Sequence, residues 1–195
     1  YIKSYKGDLN TRLLEKINGI LTKNTSVICG GRIRFFNVQI QGSTHVPPTH
    51  TEVKKHLLNF FKWYSANKNK IHPFELATLV HAKLAWIHPF EDGNGRAGRI
   101  LMVLQLVNAQ ALSLPTLFIS GYLIRNRGEY YRLLTAVTRE QKWDEFISFM
   151  LEGFYLQTKE TKETLFDIMK LHAELKETLR QNHKKIYSAD LVDVL

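Results

Sequence analysis

Apolar residues recur at helical spacing along most of this chain. Leu13, Leu14, Ile17, Ile20 and Leu21 line one side of residues 8–21, with Asp8 or Asn10 as the candidate cap. Val53, Leu57, Phe60, Phe61 and Tyr64 do the same over 51–68. The spacing predicts a third helix from about Pro73 to Ile87 and a fourth starting near Gly95. The run ILMVLQLVNAQAL in the fourth is apolar nearly all round, the mark of a central buried helix. SLPTL at 113–117 breaks it. One or two shorter helices are expected in ISGYLIRNRGEYYRLLTAVTRE, another over 142–157, and a long charged one over 159–181 with Leu165, Ile168, Leu175 and Leu179 on a stripe. Only CGGRIRFFNVQIQG, residues 29–42, changes the period. There Phe36, Val38 and Ile40 alternate with Asn37, Gln39 and Gln41, and glycines stand at both ends, which predicts a small β-hairpin. The prolines of HVPPTH make a rigid extended turn behind it. The expected fold class is all-α, a helical bundle with one small hairpin.

The last residues, SADLVDVL at 188–195, read as a capped helix just starting, with no C-cap. The expected division is therefore 1–158 for the main domain, 159–187 for a long helix or linker, and 188–195 for the start of a truncated C-terminal domain, a winged helix being one candidate. The chain's 195 residues, 44% of them hydrophobic, suffice for one domain with a core. No apolar run is long enough to cross a bilayer, and YIKSYKGDLN lacks a signal peptide's apolar stretch. A single cysteine, Cys29, excludes an internal disulfide framework. A cytoplasmic protein with no membrane partner is expected. The formal charge of +9 suits polyanions such as nucleic acid, nucleotide phosphates or an acidic partner. The basic residues are dispersed, as on solvated helix faces.

The pentapeptide IHPFE occurs twice, at 71–75 and 87–91. The first copy is an ordinary helix start: Pro73 suits the first turn and Glu75 its positive end. The second continues as HPFEDGNGRAGR, residues 88–99. Pro89 ends the preceding helix. Gly93 and Gly95 permit positive φ, and their N–H groups can form an anion-binding nest leading into a helix N-terminus. Arg96 and Arg99, three apart, can both face that nest. Asp92 is a hard oxygen ligand suited to Mg²⁺, Asn94 adds an amide donor, and His88 can take a proton near neutral pH. A calcium loop is excluded, since Arg96 fills a ligand position and Val103 stands where a bidentate Glu is needed. No Walker loop is present. Together these residues form a nucleotide phosphate site with a metal ligand and a base.

HPFEDGNGRAGR resembles the signature of Fic-domain proteins, HPFx[D/E]GNGRxxR, at every specified position. GGRIRFFNVQI followed by PP resembles the family's flap hairpin (about 31–42). NRGEYYRLL and WDEFISFML resemble later helices of its core (about 51–157). The resemblance implies a Fic-type helical bundle and a protein adenylyltransferase, which moves AMP from ATP to a Tyr, Thr or Ser hydroxyl of a target protein. It implies His88 as general base and Asp92 as the Mg²⁺ ligand. It assigns the ATP phosphates to Gly93, Asn94, Gly95, Arg96 and Arg99, and makes Phe90 a core anchor. Asp92 favours AMP transfer over the kinase-like Doc branch, whose motif lacks this acid.

The flap implies a docking edge for the target at Arg34, Phe35, Phe36, Asn37 and Val38, through β-augmentation. Tyr130 and Tyr131 fall where the family lines its adenine pocket, one of them belonging to the core, and Thr138 stands where an Asn is often found. His81 is expected to be a packed helix residue. An inhibitory helix of pattern [ST]xxxE[GN] is matched in letters by Ser148 to Gly153, inside an expected core helix, so that match reads as chance. The residues from Thr11 to Glu15 lack the pattern's final position. An inhibitory helix elsewhere in the protein, or a separate antitoxin, is an expected partner. Alternative readings are a Fic enzyme with another donor (UMP, GMP or phosphocholine transfer) and a DNA-associated regulator. In the second, nucleic acid would bind only through a missing C-terminal domain.

Overall fold

The computed structural model describes residues 7–25, 27–40, 43 and 45–182. Among them seven helices follow in order: α1 (Thr11–Leu21), α2 (His50–Asn67), α3 (Pro73–Ile87), α4 (Asn94–Asn108), α5 (Ser120–Arg125), α6 (Arg127–Glu140) and α7 (Trp143–Asn182). Local chemistry sets the starts. The Asn10 carboxamide oxygen accepts from Leu13 N–H (2.9 Å), so Asn10 rather than Asp8 caps α1. The Glu52 carboxylate reaches back to Thr49 N–H (3.0 Å) at the head of α2. Pro73 opens α3, and Gly93 is the N-cap of α4.

α3 and α4 pack against each other at the centre of the bundle. On one side Leu76, Val80, Leu84 and Ile87 of α3 and Leu101 and Leu104 of α4 join the apolar faces of α1 and α2. On the other, Ala77 and Ala82, with Met102 and Leu106, join α5, α6 and the first part of α7. Full burial of each Leu or Val stabilises by about 1.5–3 kcal/mol relative to exposure. The joint between the two central helices, residues 88–93, is therefore held from both sides.

Two sequence expectations change. The hairpin predicted over 31–42 is not formed among the described residues. From residue 33 to 40 the backbone is an irregular loop, and several of its polar groups bond outside any ladder. Arg34 N–H donates to Pro89 O (3.0 Å), while the Arg34 side chain takes Phe36 O (3.0 Å) and Pro48 O (2.6 Å). Gln41 and Gly42, the expected close of the hairpin, lie outside the described residues. The helices expected over 142–157 and 159–181 are one helix, α7. Its buried residues run from Phe146 to Gln157. The helix start expected at 188–195 lies outside the described residues. Among those described, no helix is long and apolar enough to cross a membrane.

Candidate active site

α3 stops at His88, whose backbone is left-handed (φ 49°, ψ 60°) and whose N–H makes the closing bond to Leu84 O (2.9 Å). A left-handed turn costs a non-glycine residue about 1–2 kcal/mol. Pro89 prevents helical continuation. Phe90, 1% exposed, plugs the core beneath the loop. The Asn94 carboxamide bridges back to it, accepting from Phe90 N–H and donating to Phe90 O, both at 2.9 Å. Asn94 was expected to present its amide to phosphate; instead that amide closes the loop. The chain leaves through Gly93 (φ 80°), where a Cβ would stand 2.9 Å from Asn18 Nδ2. Gly95, which could have taken positive φ, is an ordinary residue of α4, and a Cβ there would come 3.2 Å from Arg99 Nη1.

Ala97 N–H makes the first bond of α4, to Gly93 O (2.8 Å). The N–H groups of residues 94–96 are left at the helix's positive end, where anions bind. Gly93 N–H is turned to the Asp92 carboxylate. The other Asp92 oxygen accepts from Arg96 Nη2 (2.9 Å), so Arg96 holds Asp92 rather than facing the helix end. Arg99 has no carboxylate partner among the described residues.

His88, Asn94, Gly95 and Arg99 line one cavity of about 160 Å³, together with Tyr130, Tyr131 and Thr138 of α6. A base candidate, an anion-binding helix end and an aromatic wall thus share one hollow. Burial lowers the His88 pKa from its usual 6.5 to about 4, the Ala85 backbone opposing this and the Arg34 charge adding to it. The ring is therefore neutral at pH 7. Both tyrosines border the cavity, though only one was expected to. Tyr130 is also a core residue, its hydroxyl 2.7 Å from His81 Nε2, while Tyr131 is 41% exposed. The Thr138 hydroxyl is spent on α6 carbonyls, at 2.9 Å to Thr135 O. His81 is buried, and burial pushes its pKa down to about 3, in keeping with a packed helix residue. A wider groove of about 790 Å³ between α5, α6 and α7 mixes Glu129, Glu145 and Glu152 with Arg125, Arg132 and Lys159, and contains none of the motif.

The flap residues divide. Phe35 is 65% exposed and meets Phe36 edge-to-face. Val38 is half-buried, and the Asn37 carboxamide accepts from His50 N–H (2.9 Å). Arg34 is buried and donates to His88 O (2.8 Å), so it does not form part of a docking edge. The letters of the inhibitory pattern at Ser148 to Gly153 lie within α7. A Cβ at Gly153 would stand 2.5 Å from the Tyr122 ring, and Glu152 faces the α5–α7 groove, so this glycine serves packing.

Three residues near the loop escaped the sequence reading. Asn18 donates to Asp92 O (2.8 Å) and accepts from Gly31 N–H (2.9 Å), tying α1 to loop and flap. Its signal was a polar side chain on the apolar face shared by Leu14, Ile17 and Leu21. Glu91 accepts from Ile28 N–H, Cys29 N–H and Cys29 Sγ at 2.9, 3.1 and 3.2 Å. His45 lines the cavity, with Nε2 2.9 Å from Trp86 O. No local pattern marked either residue.

Among the described residues no cluster of three His, Cys, Asp or Glu could cage a metal. The Asp92 side chain, 58% exposed beside the Gly93 N-cap of α4, is not part of the His88 cavity's lining and is a lone hard donor. That suits Mg²⁺, which takes one or two carboxylates and completes its shell with substrate phosphates and water.

The Fic/DOC family model matches residues 8–106. A protein adenylyltransferase Fic from Nematostella vectensis is 38% identical over 102 residues, 52% of this chain and 22% of that protein. One from Drosophila melanogaster is 32% identical over 130 residues, 66% of this chain and 25% of that protein. The chain thus spans about a quarter or less of the relatives it matches. A Fic family protein of known structure from Desulfovibrio desulfuricans G20 superposes with a TM-score of 0.70 at 23% identity, over 91% of this chain and 55% of that one. With the family model matching half of its residues around the loop at 88–99, the chain belongs to the Fic/DOC family.

Proposed function

We propose that this chain is a protein adenylyltransferase, transferring AMP from ATP to a Tyr, Thr or Ser hydroxyl of a target protein. The observation that carries this is the single cavity in which His88, the N-terminus of α4, Arg99 and the α6 tyrosines meet. Relatives named protein adenylyltransferase support the reaction class.

In this reading the triphosphate lies against the N–H groups of residues 94–96, with Arg99 as a fork on its outer oxygens. The adenine rests toward Tyr131 and Thr138. The target hydroxyl approaches from the flap, past exposed Phe35. Neutral His88 takes its proton as the oxygen attacks the α-phosphorus. The bond to pyrophosphate breaks, and AMP stays on the target as a phosphodiester. Such a base contributes about 10²–10⁴-fold. Helix-end N–H groups and Arg99 stabilise charge that develops as pyrophosphate departs. Asp92 would hold Mg²⁺, which would supply further neutralisation of charge on the leaving group. Arg96, now on Asp92, turns to the phosphates when ATP arrives.

The test incubates the chain and a His88→Ala variant with Mg²⁺, cell lysate and ATP labelled on the α-phosphate. Protein-bound label with wild type and none with the variant is expected. Label from UTP, GTP or CDP-choline in place of ATP would replace the donor and keep the site. Equal label with both proteins would overturn the role of His88.

A further inference from the structure

Arg34 is a buried cation surrounded by carbonyls. Its side chain is 2% exposed, and among the described residues no carboxylate pairs with it. Burying a guanidinium is costly unless every donor is met. Here Nε donates to His88 O (2.8 Å), Nη1 to Phe36 O (3.0 Å) and Nη2 to Pro48 O (2.6 Å), while its backbone N–H takes Pro89 O (3.0 Å). One residue thus joins the loop at Phe36 and the proline turn at Pro48 to the residue at the end of α3. His45 acts beside it. Its Nε2 lies 2.9 Å from Trp86 O, and because a carbonyl only accepts, that nitrogen carries the proton. A helix leaves its last carbonyls without internal donors. At α3 the Trp86 oxygen is taken by His45, and that of the His88 cap by Arg34.

We infer that Arg34 and His45 are positioning residues that fix the pose of the His88 imidazole, and that flap and base therefore move as one body. The inference rests on reading His88 as the base. The left-handed turn at 88 decides where the ring points, and the orientation of the His88 carbonyl is part of that turn. Docking of a target segment at Phe35 to Val38 then presses on the groups that hold the base. The planar Arg34 fork matches three carbonyls spread around it, which a lysine ammonium does not.

The test uses Arg34→Lys and His45→Ala in the whole chain. Each is assayed for kcat and KM with ATP and for ATP binding by calorimetry. The His88 ring is titrated by NMR without nucleotide. The ionisable groups that act on that ring are Arg34, His45 and Asp92. Lysine keeps the charge at 34, so a moved titration there reports the pose. The expected result is a kcat lowered about 10²-fold in Arg34→Lys, the scale of a misplaced catalytic group. A smaller fall is expected in His45→Ala, with ATP affinity held in Arg34→Lys, and with the His88 titration rising from about 4 toward 6.5 in both. An unmoved titration in both variants overturns the inference. So does an unchanged kcat in both, or, in Arg34→Lys, a fall in kcat matched by lost ATP binding. If Arg34→Lys no longer melts cooperatively, His45→Ala decides. If wild type transfers no AMP, the reading of the site fails, while the titration still decides whether flap and ring are coupled.

Discussion

α3 begins at one IHPFE and ends at the other, so a single helix carries the same five letters at opposite poles. At the first, His72 is an exposed N-cap (φ −55°, ψ 135°), its ring stacked 6.0 Å from Phe74, and its carbonyl accepts from Leu76 N–H (2.9 Å). At the second, His88 is the left-handed residue that closes the helix, and its carbonyl has to find a donor outside, which Arg34 supplies. The residues that follow separate the two further. Leu76, Ala77, Thr78 and Leu79 continue α3; Asp92, Gly93, Asn94 and Gly95 turn the chain and open α4. The pentapeptide has no chemistry of its own. A histidine at a helix start faces water, whereas a histidine at a helix end, followed at once by a new helix's positive pole, faces a ready anion site.

The largest difference is expected between the histidines themselves. His88→Ala should lower AMP transfer by about 10²–10⁴-fold while ATP binding persists. His72→Ala should leave both unchanged, as read by label transfer and calorimetry on the two variants in parallel. A comparable loss from His72→Ala would mean the first copy takes part in function.

The pH response gives a second separation. With its pKa lowered to about 4 by burial, His88 is neutral above that pH, and the acid limb of kcat/KM in the free enzyme should fall near 4 rather than 6.5. The same burial has a stability sign. The unfolded chain binds protons near 6.5 that folded His88 and His81 refuse until about 4 and 3. Their contribution is complete above pH 6.5 and is lost as pH falls through the folded values. Thermal melts from pH 7 to pH 4 should show falling stability, and His88→Ala should flatten part of that slope.

The helices were legible because their information is local: a 3.6-residue period, Pro73 at a start, Gly93 and Pro89 at a break. The loop's chemistry was legible for the same reason, being packed into twelve residues. What failed was long-range. The alternation of Phe36, Val38 and Ile40 satisfied a strand's period, yet the backbone there bonds to neither arm of a ladder. Arg34 shares the parity of those apolar residues, and that was a sign that it points inward. Asn18 and Asp92 are 74 positions apart, and Cys29 and Glu91 are 62 apart, so no local pattern could pair them.

Position 93 of the second copy corresponds to Ala77 of the first, and exchanging their characters should have opposite causes. Gly93→Ala forces a Cβ into left-handed backbone, at about 1–2 kcal/mol, and against Asn18 Nδ2. Displacing Asn18 frees Asp92 O, so transfer activity should fall by more than the loss of melting temperature explains. Ala77→Gly lies in mid-helix and costs about 1 kcal/mol of helix propensity together with a buried methyl. It should lower the melting temperature and leave kcat of the folded protein intact.

The smallest contrast is between the two glutamates. Glu75 is exposed on the first turn of α3, where its charge meets the helix dipole at the surface. Glu91 gathers two backbone N–H groups and the Cys29 thiol. Those donors hold its pKa below the usual carboxylate value, while burial and the same carboxylate push the thiol up to about 11. A lowered carboxylate pKa means that the charge stabilises the fold above about pH 4.5, and that this is lost as pH falls through the folded value. Glu91→Gln should therefore lower the melting temperature modestly at pH 7, with the gap to wild type closing in acid. Glu75→Gln should produce little change at either pH. A gap for Glu91→Gln that persists in acid would mean that shape, rather than charge, holds residues 28–29 to the loop. The tie between that segment and the loop would then be one of packing.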